Sequence, residues 1–203
     1  MTLWLLRHAQ PLIEAGTCYG ATDVAADVQA TLLAAQAMAQ VVPKGVAMLS
    51  SPLQRCEQLS QSICRLRPDL TYKTDQRLVE MDFGVWEGQR WDAIPQAAYD
   101  HWTAEFGQHR FGGAQSVSEF MATVALVWDE THHAQRDAIW VTHAGVIRAA
   151  NLLALGVRQI DTAAQWPQAA PGWGCWQTIA IKPPQPGCAP GLWPGTGPGL
   201  HGP

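Results

Sequence analysis

The dipeptide Arg7-His8 places a cation and an imidazole side by side directly after the apolar run Leu3–Leu6, in the string LWLLRHAQP. A continuous apolar run of this kind predicts a buried strand of a parallel sheet, and such strands carry ligand sites at their carboxyl ends. Because arginine is rarely buried without an anionic partner, Arg7 requires a carboxylate or a phosphate nearby. The pair therefore indicates phosphoryl chemistry, although a histidine at a strand end is also compatible with a core side chain that bonds to the backbone.

Two other strings place anion-binding side chains after predicted strands. Arg55, in SSPLQRC, lies one turn into a helix, where its guanidinium and the free N–H groups of the helix end can hold the same anion. His143, in IWVTHAG, follows another apolar run, and Gly145 permits a close approach of the backbone there. Taken alone, Arg55 is also compatible with a solvated helix arginine. If the strand ends meet, these side chains form one anion site.

The string LVEMDFGVWEG contains the candidate proton donors. Glu80 is flanked by apolar and aromatic residues, which would exclude water and raise the pKa of its carboxyl, as a general acid requires. Asp82 and Glu87 are rivals for this role, and a carboxylate on a surface loop is the alternative reading of Glu80. The string therefore predicts a general acid, with Glu80 as the first candidate.

Strand and helix patterns alternate along most of the chain. Strands are predicted at 2–6, 46–49, 71–74, 138–141 and 176–182, and helices at 28–42, 52–66, 95–106, 116–133 and 144–155. Ser50-Ser51-Pro52 is expected to supply the cap of the second helix. This alternation predicts an α/β three-layer sandwich, with a mostly parallel sheet, helices on both faces and a last strand that is at an edge or antiparallel. The strand ends that carry chemistry would then converge on one crevice.

The composition is that of a globular protein without a broad basic surface. The 203 residues are 47% hydrophobic and 15% charged, with a net charge of -4, so no nucleic-acid partner is expected. The five cysteines lack CxxC spacing, which argues against a disulfide framework and a zinc ribbon, and the pairs His101/His109 and His132/His133 lack the spacing of metal ligands. No apolar stretch reaches the length of a membrane span or a signal-peptide core, so we expect no membrane partner and a cytoplasmic location.

The composition changes after the last predicted strand. Residues 183–203 contain seven Pro and six Gly, which cannot continue a helix or a sheet ladder. We therefore predict one domain over residues 1–182, followed by a flexible Pro/Gly-rich tail over residues 183–203.

The strings LLRHAQP, SSPLQRC, LVEMDFGVWEG and VTHAG stand in the order, and at about the separations, found in the histidine phosphatase superfamily, also called the phosphoglycerate mutase-like superfamily. Residues 1 to about 181 resemble that family. The resemblance implies that His8 is the nucleophile that takes up the phosphoryl group and that Glu80 donates the proton. It implies that the phosphoryl oxygens are bound by Arg7, Arg55 and His143, the last of which is also counted as catalytic. The implied activity is hydrolysis of a small phosphomonoester through a phosphohistidine, without a metal or another cofactor.

Two shorter strings, CYGATDV at 18–24 and GWGCW at 172–176, are most similar to the alpha-ribazole phosphatase branch of the family. That branch removes the 5′-phosphate from alpha-ribazole phosphate, or from a cobalamin phosphate, in cobalamin biosynthesis. The resemblance therefore implies alpha-ribazole 5′-phosphate as the substrate.

The chain departs from the family pattern after the nucleophile. Many members have Gly in the next position and a hydroxyl residue in the third, where this chain has Ala9 and Pro11. Glu14 stands where many members have Asn, and we expect its carboxylate to face away from the phosphate. Thr22 is expected to supply a replacement hydroxyl or N–H to the phosphate.

Several alternatives stay open from the sequence. Trp86, Trp91 and Trp102 follow Glu80, and they are typical either of a lid that stacks on a planar base or of ordinary core packing. The rival activities are a broad-specificity sugar or nucleotide phosphatase and a phosphoglycerate mutase. A non-catalytic module that binds phosphoesters is the rival from another class of function.

Overall fold

A five-stranded sheet lies at the centre of residues 1–181, the part of the chain that the computed structural model describes. Its strands are β1 (Thr2–Arg7), β2 (Ala47–Ser50), β3 (Tyr72–Thr74), β4 (Ala138–Thr142) and β5 (Trp176–Ala180). The helices are α1 (Val28–Val41), α2 (Gln54–Leu66), α3 (Gln96–Ala104), α4 (Val117–Ala134) and α5 (Ala144–Ala154). The strand order is β3-β2-β4-β1-β5, in which only the β1–β5 pairing is antiparallel among these strands. The predicted α/β fold with a mostly parallel sheet is confirmed.

Helices cover both faces of the sheet, which explains why its central strands are apolar without alternation. In β1, Leu3 and Leu5 belong to the core cluster that contains residues of α4 and α5. Trp4 and Leu6 point the other way and pack with residues of α1 and α2. Side chains on both sides of such a strand are removed from water, so both sides must be apolar.

The starts of α4 and α2 differ in how well the local sequence predicts them. α4 begins at its predicted position because Ser116 and Glu119 form a reciprocal capping box. For α2 the predicted cap is wrong: its N-cap is Leu53, which has no side-chain cap bond. The hydroxyl of Ser51 accepts from the N–H of Leu53 at 3.3 Å, before the first turn of α2, and bonds to the ring of His143 at 2.8 Å.

The register of the sheet brings three strand ends to one level. Arg7 of β1 is the partner of Thr142 in β4, and Ser50 of β2 is the partner of Val141 in β4. The ladder continues by one bond, because the N–H of His8 donates to the carbonyl of Thr142 at 2.9 Å. The residues that follow these strands therefore start at the same edge of the sheet.

No helix within residues 1–181 is long and apolar enough to cross a membrane. The predicted tail at 183–203 lies outside the described residues, as does Lys182. The limits of the domain and the cytoplasmic location stay predictions.

Candidate active site

A cavity of about 290 Å³ lies at the carboxyl edge of the sheet, and we call it the strand-end cavity. Its walls are formed by Arg7, His8, Tyr19, Arg55, Glu80, Phe83, Trp91, His143, Ala144 and Arg148. The structure thus brings together all the predicted site residues except Thr22. The rival carboxylates Asp82 and Glu87 do not line this cavity.

The ring of His8 is buried and held in one tautomer. Its Nδ1 lies 2.7 Å from the carbonyl oxygen of Ala9, and because a carbonyl can only accept, Nδ1 carries the proton. Burial, then the nearby charge of Arg55, lower the pKa of His8 to about 3, with Arg7 adding to the shift. The imidazole is therefore neutral near pH 7, with the lone pair on Nε2, which is the form a nucleophile needs.

The guanidinium groups of Arg7 and Arg55 reach the cavity without a carboxylate partner among the described residues. Arg55 is fully buried, and its Nη1 and Nη2 donate to the carbonyls of Thr22 at 2.7 Å and Gly20 at 2.6 Å. Nη1 of Arg7 donates to the carbonyl of Pro171 at 3.0 Å. The Nε atoms of both arginines are buried without a hydrogen-bond acceptor. Burial lowers the pKa of Arg55, but a guanidinium stays charged at neutral pH, so the cavity is suited to an anion.

His143 faces His8 across the cavity, with 5.2 Å between the ring centroids. Its Nε2 forms a hydrogen bond of 2.8 Å with the hydroxyl of Ser51. Burial, then the charge of Arg55, hold the pKa of His143 well below the usual range. A neutral His143 can donate one N–H to an anion without adding a charge beside the nucleophile.

The carboxyl group of Glu80 is fixed by two backbone donors. The N–H of Gly145 donates to Oε2 at 2.9 Å, and the N–H of Met81 donates to Oε1 at 3.1 Å. Burial raises the pKa of Glu80 above its usual value, although these two bonds and the charge of Arg55 oppose the shift. Gly145 is required at its position, because a Cβ there would lie 2.2 Å from Oε1 of Glu80. The site can therefore keep a protonated carboxyl group in a fixed place.

The rival carboxylates have other partners. Glu87 accepts from the backbone N–H groups of Ala21 at 2.8 Å, Thr22 at 2.6 Å and Phe83 at 3.1 Å. Burial alone would raise the pKa of Glu87, but these bonds and the hydroxyl of Thr22 outweigh it and lower the pKa. Asp82 accepts from the N–H of Gly84 at 2.8 Å. Glu87 is thus an ionised link between two loops rather than a proton donor.

Thr22 has a different place from the one expected for a phosphate ligand. Both its hydroxyl and its N–H donate to Glu87, so neither is directed to an anion in the cavity. Its carbonyl accepts from Arg55, and Thr22 therefore positions that guanidinium. Glu14 faces away from the cavity, as expected, and pairs with Arg90 at 2.9 Å on the surface.

The sequence reasoning missed Arg148. Ala144 and Arg148 are four residues apart on α5, so they share a face of the helix and both line the cavity. Nη2 of Arg148 donates to the carbonyl of Gln168 at 3.1 Å, and its Nε is buried without an acceptor. Burial lowers its pKa. The sequence did contain a signal for this residue, because Arg148 lies about one turn into the helix that follows His143, as Arg55 does in its own predicted helix.

Among residues 1–181, no group of three or more His, Cys, Asp or Glu side chains is placed to hold a metal ion. His101 and His109 lie with 6.3 Å between ring centroids and are not joined by a third such group. The expectation of a metal-free reaction stays a prediction.

Comparisons with known proteins identify the family of this chain. The family model of the histidine phosphatase superfamily (branch 1) matches residues 3–173. The fold is similar to that of the mycobacterial glucosyl-3-phosphoglycerate phosphatase Rv2419c, with a TM-score of 0.73 and 21% identity over 87% of this chain and 88% of that one. It is also similar to the protein TTHB049 from Thermus thermophilus, with a TM-score of 0.66 and 25% identity over 88% of this chain and 93% of that one. No curated protein sequence matches this chain. Because the family model spans most of the chain, including both strand-end histidines, the chain belongs to the histidine phosphatase superfamily (branch 1).

Proposed function

We propose that this protein hydrolyses phosphomonoesters through a phosphohistidine formed at Nε2 of His8, without a metal ion. The observation that carries the proposal is the state of the His8 ring. Nδ1 is tied to the carbonyl of Ala9, which leaves the lone pair of Nε2 facing a cavity lined by Arg7 and Arg55. A neutral nucleophile between two fixed cations is suited to attack on a phosphate dianion.

In the first step, Nε2 of His8 forms a bond to phosphorus while the bond between phosphorus and the ester oxygen breaks. The leaving alkoxide takes the proton of the Glu80 carboxyl and departs as an alcohol. Charge on the three remaining oxygens is stabilised by the guanidinium groups of Arg7 and Arg55, with His143 donating an N–H. The raised pKa of Glu80 supports this role, because the carboxyl must hold a proton at the start.

In the second step, water attacks phosphorus and the bond to Nε2 breaks. The Glu80 carboxylate takes one proton from the attacking water, so the same group is returned to its protonated form. Inorganic phosphate leaves and His8 is again neutral. A mutase would instead keep the phosphohistidine until a second acceptor alcohol entered.

We propose alpha-ribazole 5′-phosphate as the substrate. The support is the likeness of CYGATDV and GWGCW to the alpha-ribazole phosphatase branch, together with the contacts that these segments make. Within the first segment, the carbonyls of Gly20 and Thr22 hold Arg55. Within the second, the N–H of Gly174 donates to the carbonyl of His8 at 2.9 Å. Both strings thus lie against the residues that would bind the phosphoryl group.

A phosphorylated sugar acid is the second candidate substrate. It is favoured by the fold similarity to the mycobacterial enzyme, which is described as a glucosyl-3-phosphoglycerate phosphatase. Both candidates share the proposed chemistry and differ in the alcohol that leaves.

The test is release of inorganic phosphate, in EDTA, from alpha-ribazole 5′-phosphate, glucosyl-3-phosphoglycerate, ribose 5-phosphate and adenosine 5′-monophosphate. We expect the highest kcat/KM with alpha-ribazole 5′-phosphate, and an acid-labile phosphoenzyme that His8→Ala abolishes. Equal turnover of all four would indicate a broad-specificity phosphatase, and preference for the sugar acid would select the second candidate. Transfer of phosphate to 2-phosphoglycerate or 3-phosphoglycerate rather than to water would indicate a mutase. Phosphate binding by folded protein without turnover of any ester would indicate a binding module.

A further inference from the structure

A second cavity, of about 380 Å³, adjoins the strand-end cavity. The two share Glu80, Phe83 and Arg148 in their walls. Because the shared Glu80 is the proposed donor to the leaving alcohol, the second cavity opens where that alcohol must be. Its volume falls in the range of small-molecule sites, about 300–1,000 Å³.

Aromatic side chains form much of the wall of this second cavity, which we call the aromatic cavity. Trp102, on α3, is stacked on Phe106 with 5.2 Å between ring centroids. The ring centroid of Trp166 lies 6.5 Å from those of Phe106 and Phe120. These three side chains and Trp102 all line the cavity. Each ring is supported by another ring, so the wall is rigid as well as apolar.

The side chains that carry unpaired buried donors in residues 1–181 all line the two cavities. Within residues 1–181, four buried side-chain donors lack an acceptor: Arg7 Nε, Arg55 Nε, Trp102 Nε1 and Arg148 Nε. The first two line the strand-end cavity, Trp102 lines the aromatic cavity, and Arg148 lines both. Buried donors without acceptors are rare in folded proteins, and their clustering at one continuous space indicates that a ligand supplies the acceptors.

The pattern of donors and apolar surface restricts the ligand. Polar partners for a polyhydroxylated alcohol are confined to a few side chains of the wall, including Thr103 and Gln168, so hydroxyl groups directed at the aromatic side chains would stay unpaired. A planar heteroaromatic base would stack on that wall and could accept from Trp102 Nε1 through one unprotonated ring nitrogen.

We infer that the aromatic cavity is the leaving-group subsite and holds a bicyclic heteroaromatic base, with Trp102 Nε1 donating to a ring nitrogen and Arg148 Nε donating to an oxygen of the connecting sugar. This inference rests on the proposed phosphomonoester hydrolysis and extends it by naming the residues that select the alcohol. Trp102 and Arg148 are then specificity residues, and they belong to elements far apart in the chain, α3 and α5.

The test compares two esters with the same reacting bond. Alpha-ribazole 5′-phosphate and ribose 5-phosphate both leave through a primary 5′-alcohol, so the ratio of their kcat/KM values reports the base alone. We expect Trp102→Phe, which keeps a ring but removes the N–H, to lower this ratio about 3- to 10-fold. Trp102→Ala, which also removes the ring that supports Phe106 in the cavity wall, is expected to lower it about 30-fold or more.

A substrate change isolates the hydrogen bond. In the indole analogue of alpha-ribazole 5′-phosphate, a CH group replaces the accepting ring nitrogen, so Trp102→Phe should have no further effect on its kcat/KM relative to ribose 5-phosphate. Trp128→Phe is the matched control, because Trp128 is buried in the core and lines neither cavity. It should leave the ratio unchanged, which separates loss of the subsite from loss of stability.

The results separate this inference from the proposed function. If the wild-type protein hydrolyses both esters with equal kcat/KM, or if Trp102→Phe and Trp102→Ala leave the ratio unchanged, hydrolysis stands and the subsite is refuted. If no ester is hydrolysed, hydrolysis is refuted, and calorimetric titration of the His8→Ala protein still decides the subsite. In that titration, alpha-ribazole 5′-phosphate should bind at least about tenfold more tightly than ribose 5-phosphate, and Trp102→Ala should remove the difference. Equal affinities would overturn the subsite.

Discussion

Gly145→Ala is a sharp test of the site, because it adds one carbon atom beside the proposed proton donor. Gly145 is the second residue of α5, and its N–H holds Oε2 of Glu80 at 2.9 Å. A Cβ built on Gly145 would lie 2.2 Å from Oε1 and 3.0 Å from Cδ of Glu80. The backbone of α5 is anchored in the core, so the carboxyl group must yield.

The size of the effect follows from that displacement. Because real Cβ atoms essentially never come closer than 3.0 Å to another heavy atom, the carboxyl group must move by about 1 Å. A misplacement of this size costs about 100-fold in rate, which corresponds to about 2.7 kcal/mol of activation free energy. Alanine is meanwhile the better helix residue by about 0.5–1 kcal/mol, which offsets part of the strain in the folded state. We therefore expect kcat to fall about 100-fold on an alkyl phosphomonoester while the melting temperature changes little.

Rapid-quench kinetics with two kinds of ester would locate the loss. p-Nitrophenolate leaves without protonation, so the burst of nitrophenolate should persist in Gly145→Ala, whereas formation of the phosphoenzyme from ribose 5-phosphate should be slow. Gly172→Ala is the matched control, because a Cβ at Gly172 meets nothing nearer than Cys175 Sγ at 3.9 Å. A Gly145→Ala protein with kcat within about threefold of the wild type on ribose 5-phosphate would refute the assignment of Glu80 as the positioned donor.

The other predictions concern ionisation and the loop that holds Arg55. Glu80→Gln should lower kcat for alkyl esters about 100- to 10,000-fold. It should also abolish the fall in activity at rising pH, because a proton donor acts only while it is protonated. A pH–rate profile of Glu80→Gln that still falls at high pH would contradict this role. His8 has a folded pKa of about 3 against 6.5 in the unfolded chain, so the unfolded state binds more protons between these values. The stability associated with neutral His8 is present above pH 6.5 and lost as the pH falls towards 3, by about 3 kcal/mol at pH 4. His8→Asn should flatten this part of the pH dependence in urea unfolding, and an unchanged slope would disprove the burial argument. Glu87→Gln should lower the free energy of unfolding by about 2 kcal/mol. It should also weaken phosphate binding, because it releases the Thr22 loop, whose carbonyl accepts from Arg55. Glu14→Gln changes a surface ion pair and is the control that should alter neither quantity.

The position of His8, Arg55 and His143 in one cavity followed from short-range features of the sequence. An apolar run that is buried on both faces must be a central strand, and parallel strands end at one edge, so residues directly after such strands meet without any further information. In the structure, Arg7 pairs with Thr142, so the ends of β1 and β4 lie at the same level. This part of the site could therefore be predicted.

The contacts of Thr22 could not be predicted in the same way. Thr22 and Glu87 are 65 residues apart and lie on loops without periodic pattern, so nothing local indicates that they pair. The sequence predicts a free Thr22 hydroxyl that can bind phosphate, because it gives no sign that Glu87 accepts from this hydroxyl. The prediction for Ser51 was wrong for a related reason. A serine before a helix is typical of an N-cap, but its hydroxyl here accepts from the N–H of Leu53, before the first turn of α2, and bonds to the ring of His143.

Glu80 links the two steps of the proposed reaction through its location. A third cavity, of about 500 Å³, is lined by polar side chains that include Gln76, Asp82 and Gln115, and Glu80 also lines it. Of the described residues, Glu80 alone lines this cavity, the aromatic cavity and the strand-end cavity. Because both displacements at phosphorus are in line, the water of the second step must attack opposite Nε2 of His8, from the side that the alcohol left, so Glu80 acts on the same side of phosphorus in both steps. A carboxyl group held in place by two backbone N–H groups can serve both steps without moving its main chain, which is why a displacement of about 1 Å is expected to affect both steps.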